Sequence, residues 1–391
     1  MEGIFSNDKN GNPEIQTNKL EVVSNNDLNI ESPWDFNGAD PSHEDKVFSF
    51  PEFYVSNPQR ATILKIKTDF INSLHLYFRD NGFTLVEPPI ITDKTLYGED
   101  KAISANVHGE KVFLSQCATF ELEPLALAFG KAYTISPAFR DEPAGSKRHL
   151  AEYTHVKAEA LFANISDLKR LSGNSIYFAM SNVLRINERE LGILGIDLQI
   201  EGLRPEQHEN ISYDDALKLT QKEGSTTQWG EGLKRRDEII LTEYFGNRYF
   251  WVNFPPFISE GFPYKRLSED RRLSMTSDLI APHCAGEMVG VAEKITDPEE
   301  LIQNLIEKGQ KQNIRHYWNY IALRENGMPP HGGIGAAPER ILYGPLDLDH
   351  IRLTKPWSRY LGRKIIAPQG RSLNNFGSNN LQRLIEKYGL K

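Results

Sequence analysis

A pair of prolines narrows the folding options of this chain more than any other single feature. Phe83-Thr84-Leu85-Val86-Glu87-Pro88-Pro89-Ile90-Ile91 reads as a strand closed by Pro88 and Pro89. Proline cannot donate to a sheet ladder, so such a strand suits a sheet edge and not its centre. Directly before it, Ile63, Leu64, Ile66, Phe70, Ile71, Leu74, Tyr77 and Phe78 fall on one face of a helix over residues 59–81. Gly82 supplies the stop signal between the two.

The same reading continues along the chain. Short strands at 112–115 and 131–137 flank a helix at 119–130, and another strand covers 152–163. Residues 166–195 and 213–222 read as helices, the second capped by Ser212 with Asp214 and Asp215 in its first turn. The aromatic run 248–254 is a strand, 297–325 one long helix, and a glycine-rich strand at 332–337 leads into a helix from Pro338. Strands with helices between them, without a P-loop or GxGxxG, predict an α+β enzyme and not a doubly wound one.

Charge is unevenly spread. Residues 1–45 hold ten acidic and two basic residues, which accounts for the whole net charge of −8. They show no sustained apolar period and read as a mobile polar tail, with one large unit over 46–391. The neutral remainder neither advertises a nucleic-acid surface nor excludes one. No apolar run is long enough to span a bilayer and no secretory signal opens the chain, so the cytoplasm is the expected compartment. Cys117 and Cys284 lack metal-ligand spacing, which argues against structural zinc.

Three separated segments carry the chemistry. In the first, Phe139-Arg140-Asp141-Glu142 is followed by Arg148-His149-Leu150-Ala151-Glu152-Tyr153-Thr154. An arginine on a strand can hold a phosphate and offset charge built up as a carboxylate attacks it. Glu142, two residues on, shares the face of Arg140. Arg148 and His149 suit outer phosphates, and Tyr153 offers a ring for a base. In the second, Gly332-Gly333-Ile334-Gly335-Ala336-Ala337-Pro338-Glu339-Arg340 lets backbone approach a ligand and places Arg340 in a first helical turn, where it would meet the γ-phosphate. Between them, Asp278 and Glu287 would converge from adjacent strands as ligands for Mg²⁺.

The helix–Gly–strand–Pro unit, the Arg140 segment and the Arg340 segment together resemble the three signature motifs of class II aminoacyl-tRNA synthetases. "RHLAEYTHVKAE", "SDLIAPHCAGEMVG" and "MPPHGGIGAAPER" look most like the asparaginyl members of the aspartyl/asparaginyl branch, over roughly residues 45–391. The resemblance implies an antiparallel sheet flanked by helices, a homodimer through the first motif, and ATP with Mg²⁺ as cofactors. By position it assigns Arg140, Glu142, Tyr153 and Arg340 to ATP, and Asp278 and Glu287 to Mg²⁺. It assigns Glu99 to the substrate ammonium and puts Thr119, Leu122 and Lys294 at the amino-acid pocket.

Two departures stand out. The 45 residues ahead of the catalytic unit are too few and too polar for the family's anticodon-reading barrel. Lys294 stands where the family has an arginine, so a fork of donors has become a point charge. The sequence therefore reads first as an adenylating ligase that activates aspartate, asparagine or a relative and passes the acyl group to ammonia or another amine. The alternative is an asparagine–tRNA ligase without its anticodon domain, and a third reading is a non-catalytic regulatory paralog. Arg140, Glu142, Glu287 and Arg340 argue against the last.

Overall fold

The computed structural model describes residues 2–9, 11, 13–19, 21, 57–141, 147–283, 285–360 and 386–387. Near the N-terminus, β1 (Glu2–Asn7) and β2 (Pro13–Lys19) pair as an antiparallel hairpin. The hairpin adds local structure that the reading of a mobile polar tail did not include; residues 22–45 lie outside the described residues. The overlooked signal is Asn10-Gly11, a dipeptide that favours tight hairpin turns, and Gly11 sits at φ 85°.

Helix α1 (Pro58–Asp80) begins where the Asn57 side chain accepts the Arg60 N–H at 3.1 Å, with Pro58 in the first turn. It buries Ile63, Ile66, Phe70, Leu74 and Phe78 along one stripe and gives way to Gly82 at φ 77°. The strand expected over 83–91 is split. Only β3 (Thr84–Leu85) joins the main sheet, while β4 (Ile91–Thr92) enters a small second sheet with β5 (Ser104–Val107) and β6 (Glu110–Leu114). Pro88 and Pro89 have no N–H to continue the ladder, so the chain leaves one sheet for the other across them.

Then follow α2 (Thr119–Phe129), β7 (Lys131–Phe139), β8 (Glu152–Leu161), α3 (Ile165–Ile186), α4 (Glu188–Leu194), β9 (Glu209–Ser212), α5 (Tyr213–Lys222) and α6 (Arg235–Tyr244). The remainder is β10 (Phe250–Asn253), β11 (Thr276–Ala281), β12 (Gly286–Glu293), α7 (Pro298–Glu307), α8 (Trp318–Glu325), β13 (His331–Ala336) and α9 (Pro338–Tyr343). Eight strands form the main sheet in the order β3-β7-β8-β13-β12-β11-β10-β9. Its pairings are antiparallel except at the two ends, β3 with β7 and β9 with β10. The fold is the expected α+β arrangement, a large, mostly antiparallel sheet flanked by helices.

Two helices are shorter than the sequence pattern suggests. The helix read over 166–195 breaks at the buried Asn187, which separates α3 from α4. The helix read over 297–325 ends at Glu307, because Gly309 takes φ 70°; a 3₁₀ stretch over Lys311–Tyr317 precedes α8. Among the described residues no helix is long and apolar enough to cross a membrane.

The main core cluster sits on one face of the sheet, and a smaller one, with Tyr213, Leu241, Phe250 and Ile280, packs on the opposite face at β10 and β11. Val156, Ala158 and Ala160 of β8, Ile334 and Ala336 of β13, and Val289 and Val291 of β12 point to the first of these faces. They pack under Phe70, Leu74 and Phe78 of α1 and Leu168, Ile176 and Met180 of α3. Each of the valine, leucine, isoleucine, methionine and phenylalanine side chains stabilises the fold by about 1.5–3 kcal/mol relative to exposure. Phe78 is fully buried, with its ring stacked on Tyr133 at 4.7 Å between centroids. Phe78→Ala is expected to cost about 3–5 kcal/mol by chemical denaturation. A loss under 1 kcal/mol would show that α1 does not pack on β7 as described.

Candidate active site

The other face of the same strands is polar. In β8 the side chains that alternate with Val156 and Ala158 are Tyr153, His155, Lys157 and Glu159. Their neighbours across the ladders are small: Gly335 lies opposite Lys157, Gly333 opposite Glu159, and Gly290 opposite Gly335. A Cβ on Gly333 would lie 2.3 Å from the Glu159 carboxylate, and one on Gly335 would lie 3.0 Å from the His155 ring. The glycine-rich strand therefore makes room first for side chains of β8. The sheet forms the floor of a cleft, and loops form its walls.

Arg140, at the end of β7, faces this cleft. Its backbone N–H donates to Ala151 at 3.0 Å, and its guanidinium lies 4.5 Å from the Tyr97 ring centroid and 5.6 Å from that of Tyr153. Arg340, in α9, reaches the same cleft and donates to the Glu287 carbonyl at 3.0 Å and the Arg148 carbonyl at 2.8 Å. Arg148 is held by Glu238 of α6 at 2.6 Å. His149 and Tyr153 also line the wall. The sequence separates Arg140 from Arg340 by most of the fold, and the structure brings them to one space. Glu142 lies outside the described residues.

Asp278 and Glu287 meet at the acidic end. A Cβ on Gly290 would lie 3.3 Å from the Asp278 carboxylate and 3.6 Å from that of Glu287, so the acids flank one glycine. A register shift in the β11–β12 ladder between Leu279 and Ile280 re-aims the pair. Burial, then the charges of Glu287, Glu260 and Glu238, holds the Asp278 carboxyl well above the usual carboxylate range. Burial and Glu287 push Glu260 up to about 7. Crowded carboxylates of this kind call for a cation. Among the described residues no cluster of three or more His, Cys, Asp or Glu side chains converges on a metal site. Two acids in one cleft with Arg140 and Arg340 still fit Mg²⁺, which takes few protein ligands and completes its shell with water and other oxygens.

Four expected substrate residues are not on the cleft wall. Leu122 is fully buried in an apolar cluster with Ala118, Ala126 and Ala132, one helical face turned to the core. Thr119 is buried with its hydroxyl 3.1 Å from the Cys117 sulfur. Glu99 points to the outer surface, paired with Lys111 at 2.7 Å and accepting from Asn313 at 3.2 Å. Lys294 lies behind the wall, 3.6 Å from Glu159 and 3.9 Å from Glu123. In their place the wall carries Tyr97, Cys117, His155, Lys157, Glu260 and Tyr264. His155 and Lys157 follow from the alternation that begins at Tyr153. The others come from loops with no local pattern. Burial, with Lys157 and Arg140 close by, pushes His155 down to about 3, so its imidazole is neutral at working pH.

An antiparallel sheet floored by β8, β12 and β13, with two arginines converging opposite a pair of acids, defines a ligase site of the class II adenylate-forming kind. Comparison with known proteins gives the family. The profile of tRNA synthetases class II (D, K and N) matches residues 46–360, and the chain belongs to that family, ligases that form an aminoacyl-adenylate. The asparagine–tRNA ligase of Desulforamulus reducens is 33% identical over 311 residues, 79% of this chain and 72% of that protein. That of Pyrococcus furiosus is 28% identical over 354 residues, 90% and 80% of the two chains. In structure the chain is similar to asparaginyl-tRNA synthetase from Pyrococcus horikoshii complexed with asparaginyl-adenylate. The TM-score is 0.84 at 27% identity, covering 93% of this chain and 82% of that one.

The acidic end makes a pH prediction. Glu260 keeps its proton to about pH 7 in the fold, through burial and Glu287 and against the pull of Lys308 and a hydrogen bond to Thr276. The unfolded chain releases that proton near pH 4.3. Between those values the native state binds more protons, so stability falls as pH rises, and above the folded value the full penalty is present. Glu260→Gln should flatten this fall by on the order of 1–3 kcal/mol in metal-free protein. Denaturant melts from pH 4.5 to 7.5 check it, and unchanged slopes would count against the crowding.

Proposed function

We propose that this chain works as an enzyme of the asparagine–tRNA ligase type. It activates a small amino acid of the asparagine–aspartate pair with ATP as its adenylate, then delivers the acyl group to tRNA. The observation that carries this reading is the convergence of Arg140 and Arg340 on one cleft opposite Asp278 and Glu287. A substrate carboxylate oxygen attacks the α-phosphorus of ATP, the bond to pyrophosphate breaks, and no protein nucleophile takes part. Arg140 neutralises charge on the α-phosphate as the attack proceeds, with its own plane held by Tyr97. Arg340 and Arg148 hold the outer phosphates in a bent path, and Tyr153 offers its ring to the base. Mg²⁺ held by Asp278 and Glu287 would supply neutralising charge to the phosphates.

The relatives favour tRNA as the acceptor. Transfer to ammonia or another amine shares the first half-reaction and remains an outcome of the test. A homodimer through α1 and β3 goes with this reading. Leu76, Leu85 and Ile91 are exposed beside the sheet edge, where a second copy would cover them.

Pyrophosphate exchange into ATP should depend on an added amino acid and on Mg²⁺. Arg140→Ala should lower its kcat/KM by about 10²–10³. Charging of total tRNA then tests the acceptor. Exchange without any acylated tRNA would move the acceptor to an amine, and exchange with no amino acid would end the adenylation reading.

A further inference from the structure

The inner end of the cleft carries more positive than negative charge. Glu123 and Glu159, both fully buried, are the anions there. Glu123 is already satisfied: the Arg324 guanidinium donates to it, the Tyr320 hydroxyl donates at 2.6 Å, and His331 Nε2 lies 3.1 Å away. Glu159 is shared between Lys157 at 3.3 Å and Lys294 at 3.6 Å. Three cations, Lys157, Lys294 and Arg324, thus face two carboxylates. The Lys294 ammonium reaches no hydrogen-bond acceptor, although it is fully buried and lies 4.5 Å from the Tyr264 ring centroid. An ammonium in that position with no anion of its own is a costly arrangement.

Lys157 is the member of this group that faces the cleft, between His155 and Glu159 on β8, with Tyr97, Cys117 and Tyr264 around it. Burial alone would lower its ammonium. Glu159, with Cys117 and Tyr97, pushes it up to about 12, so it stays charged. Burial lowers Lys294, while Glu159 and Glu123 pull against that. A lysine has donors only. The wall therefore presents a charged donor where a ligand side chain would end, and Glu159 stands behind it.

We propose that the inner end of the cleft takes the second carboxylate of a dicarboxylic amino acid, an aspartate-type substrate in preference to its neutral amide, with Lys157 as the discriminating residue. The first carboxylate lies at Arg140 for adenylation, and the second supplies a further anion beside Lys157, in front of the single Glu159 carboxylate that Lys157 shares with the buried Lys294. An amide oxygen could accept from Lys157, but a neutral amide would leave the extra positive charge of the three cations uncompensated. The inference rests on the adenylation reading above and departs from the amino acid named for the relatives.

The test is pyrophosphate exchange by the full chain with L-aspartate and with L-asparagine. Aspartate should be preferred by about tenfold or more in kcat/KM, as expected where a buried polar group is left unpaired by the wrong ligand. Lys157→Gln should lower kcat/KM for aspartate by about 10²-fold, chiefly through KM, and leave asparagine within about threefold, while Lys157→Arg should restore part of the preference. Should the variants fail to fold, equilibrium binding of each amino acid to the unaltered protein with a non-hydrolysable ATP analogue reads the same preference. Exchange that favours asparagine, or an equal loss for both substrates in Lys157→Gln, overturns the proposal alone. Exchange with neither amino acid overturns the adenylation reading and the proposal with it.

Discussion

The pleat of β8 is the constraint on which the rest of the molecule depends. Its side chains alternate between two environments that could hardly differ more: Val156, Ala158 and Ala160 against the helices, Tyr153, His155, Lys157 and Glu159 toward the cleft. A slip of one residue would put two lysine- and glutamate-length charges into the apolar core. The buried hydrophobic face thus fixes the register of the polar one, and stability and chemistry are set by the same ladder. The glycines of β13 complete the constraint. With any side chain at Gly333, the Glu159 carboxylate has nowhere to sit.

A second tie locks the distant parts of the site to one another. Glu339, next to Arg340, is fully buried and accepts from Lys67 of α1 at 2.6 Å, from the Thr154 N–H at 3.0 Å, and pairs with Lys355 at 3.2 Å. Burial alone would raise this carboxyl, but Lys67 and Lys355 hold it below its ordinary range. One anion therefore joins α1, the strand that carries Tyr153, and the helix that carries Arg340. Buried pairs of this kind add little net stability against an apolar alternative. Their effect is geometric, and here they fix the angle at which Arg340 enters the cleft.

Much of this was legible in the sequence where local periodicity and chemistry agree. The helix–glycine–edge strand unit, the strand of Tyr153 and the glycine strand before Arg340 are all visible in the pattern, and Arg140, Arg340, Asp278 and Glu287 line one cleft. The failures have physical causes. Leu122 follows Ala118 and precedes Ala126 at four-residue spacing, and that period marks a core face of α2, whatever a family position suggests. The long helix over 297–325 needed a break at Gly309, whose positive φ only the backbone reveals. Tyr97 lies in one loop and Glu260 and Tyr264 in another far along the chain, so no spacing could announce the set. Lys157, by contrast, was readable: two and four residues past Tyr153 on one strand face lie two more cleft residues.

The cleft that results is electrically polarised. Asp278, Glu287 and Glu260 crowd one end until burial and mutual repulsion raise the first and third of them above the usual carboxylate range. Lys157 and Lys294 crowd the other around a single glutamate. Neither end is balanced by itself, and the protein holds both unbalanced states by packing them under the same apolar sheet. A ligand that carries a cation toward the acids and an anion toward the lysines relieves both at once. Because the walls are of low dielectric, that relief is worth more than the same charges would give in water. Arg140 stands in the same cleft, braced by two aromatic rings. The charge imbalance at the two ends thus follows from the same packing that holds Arg140 between its rings.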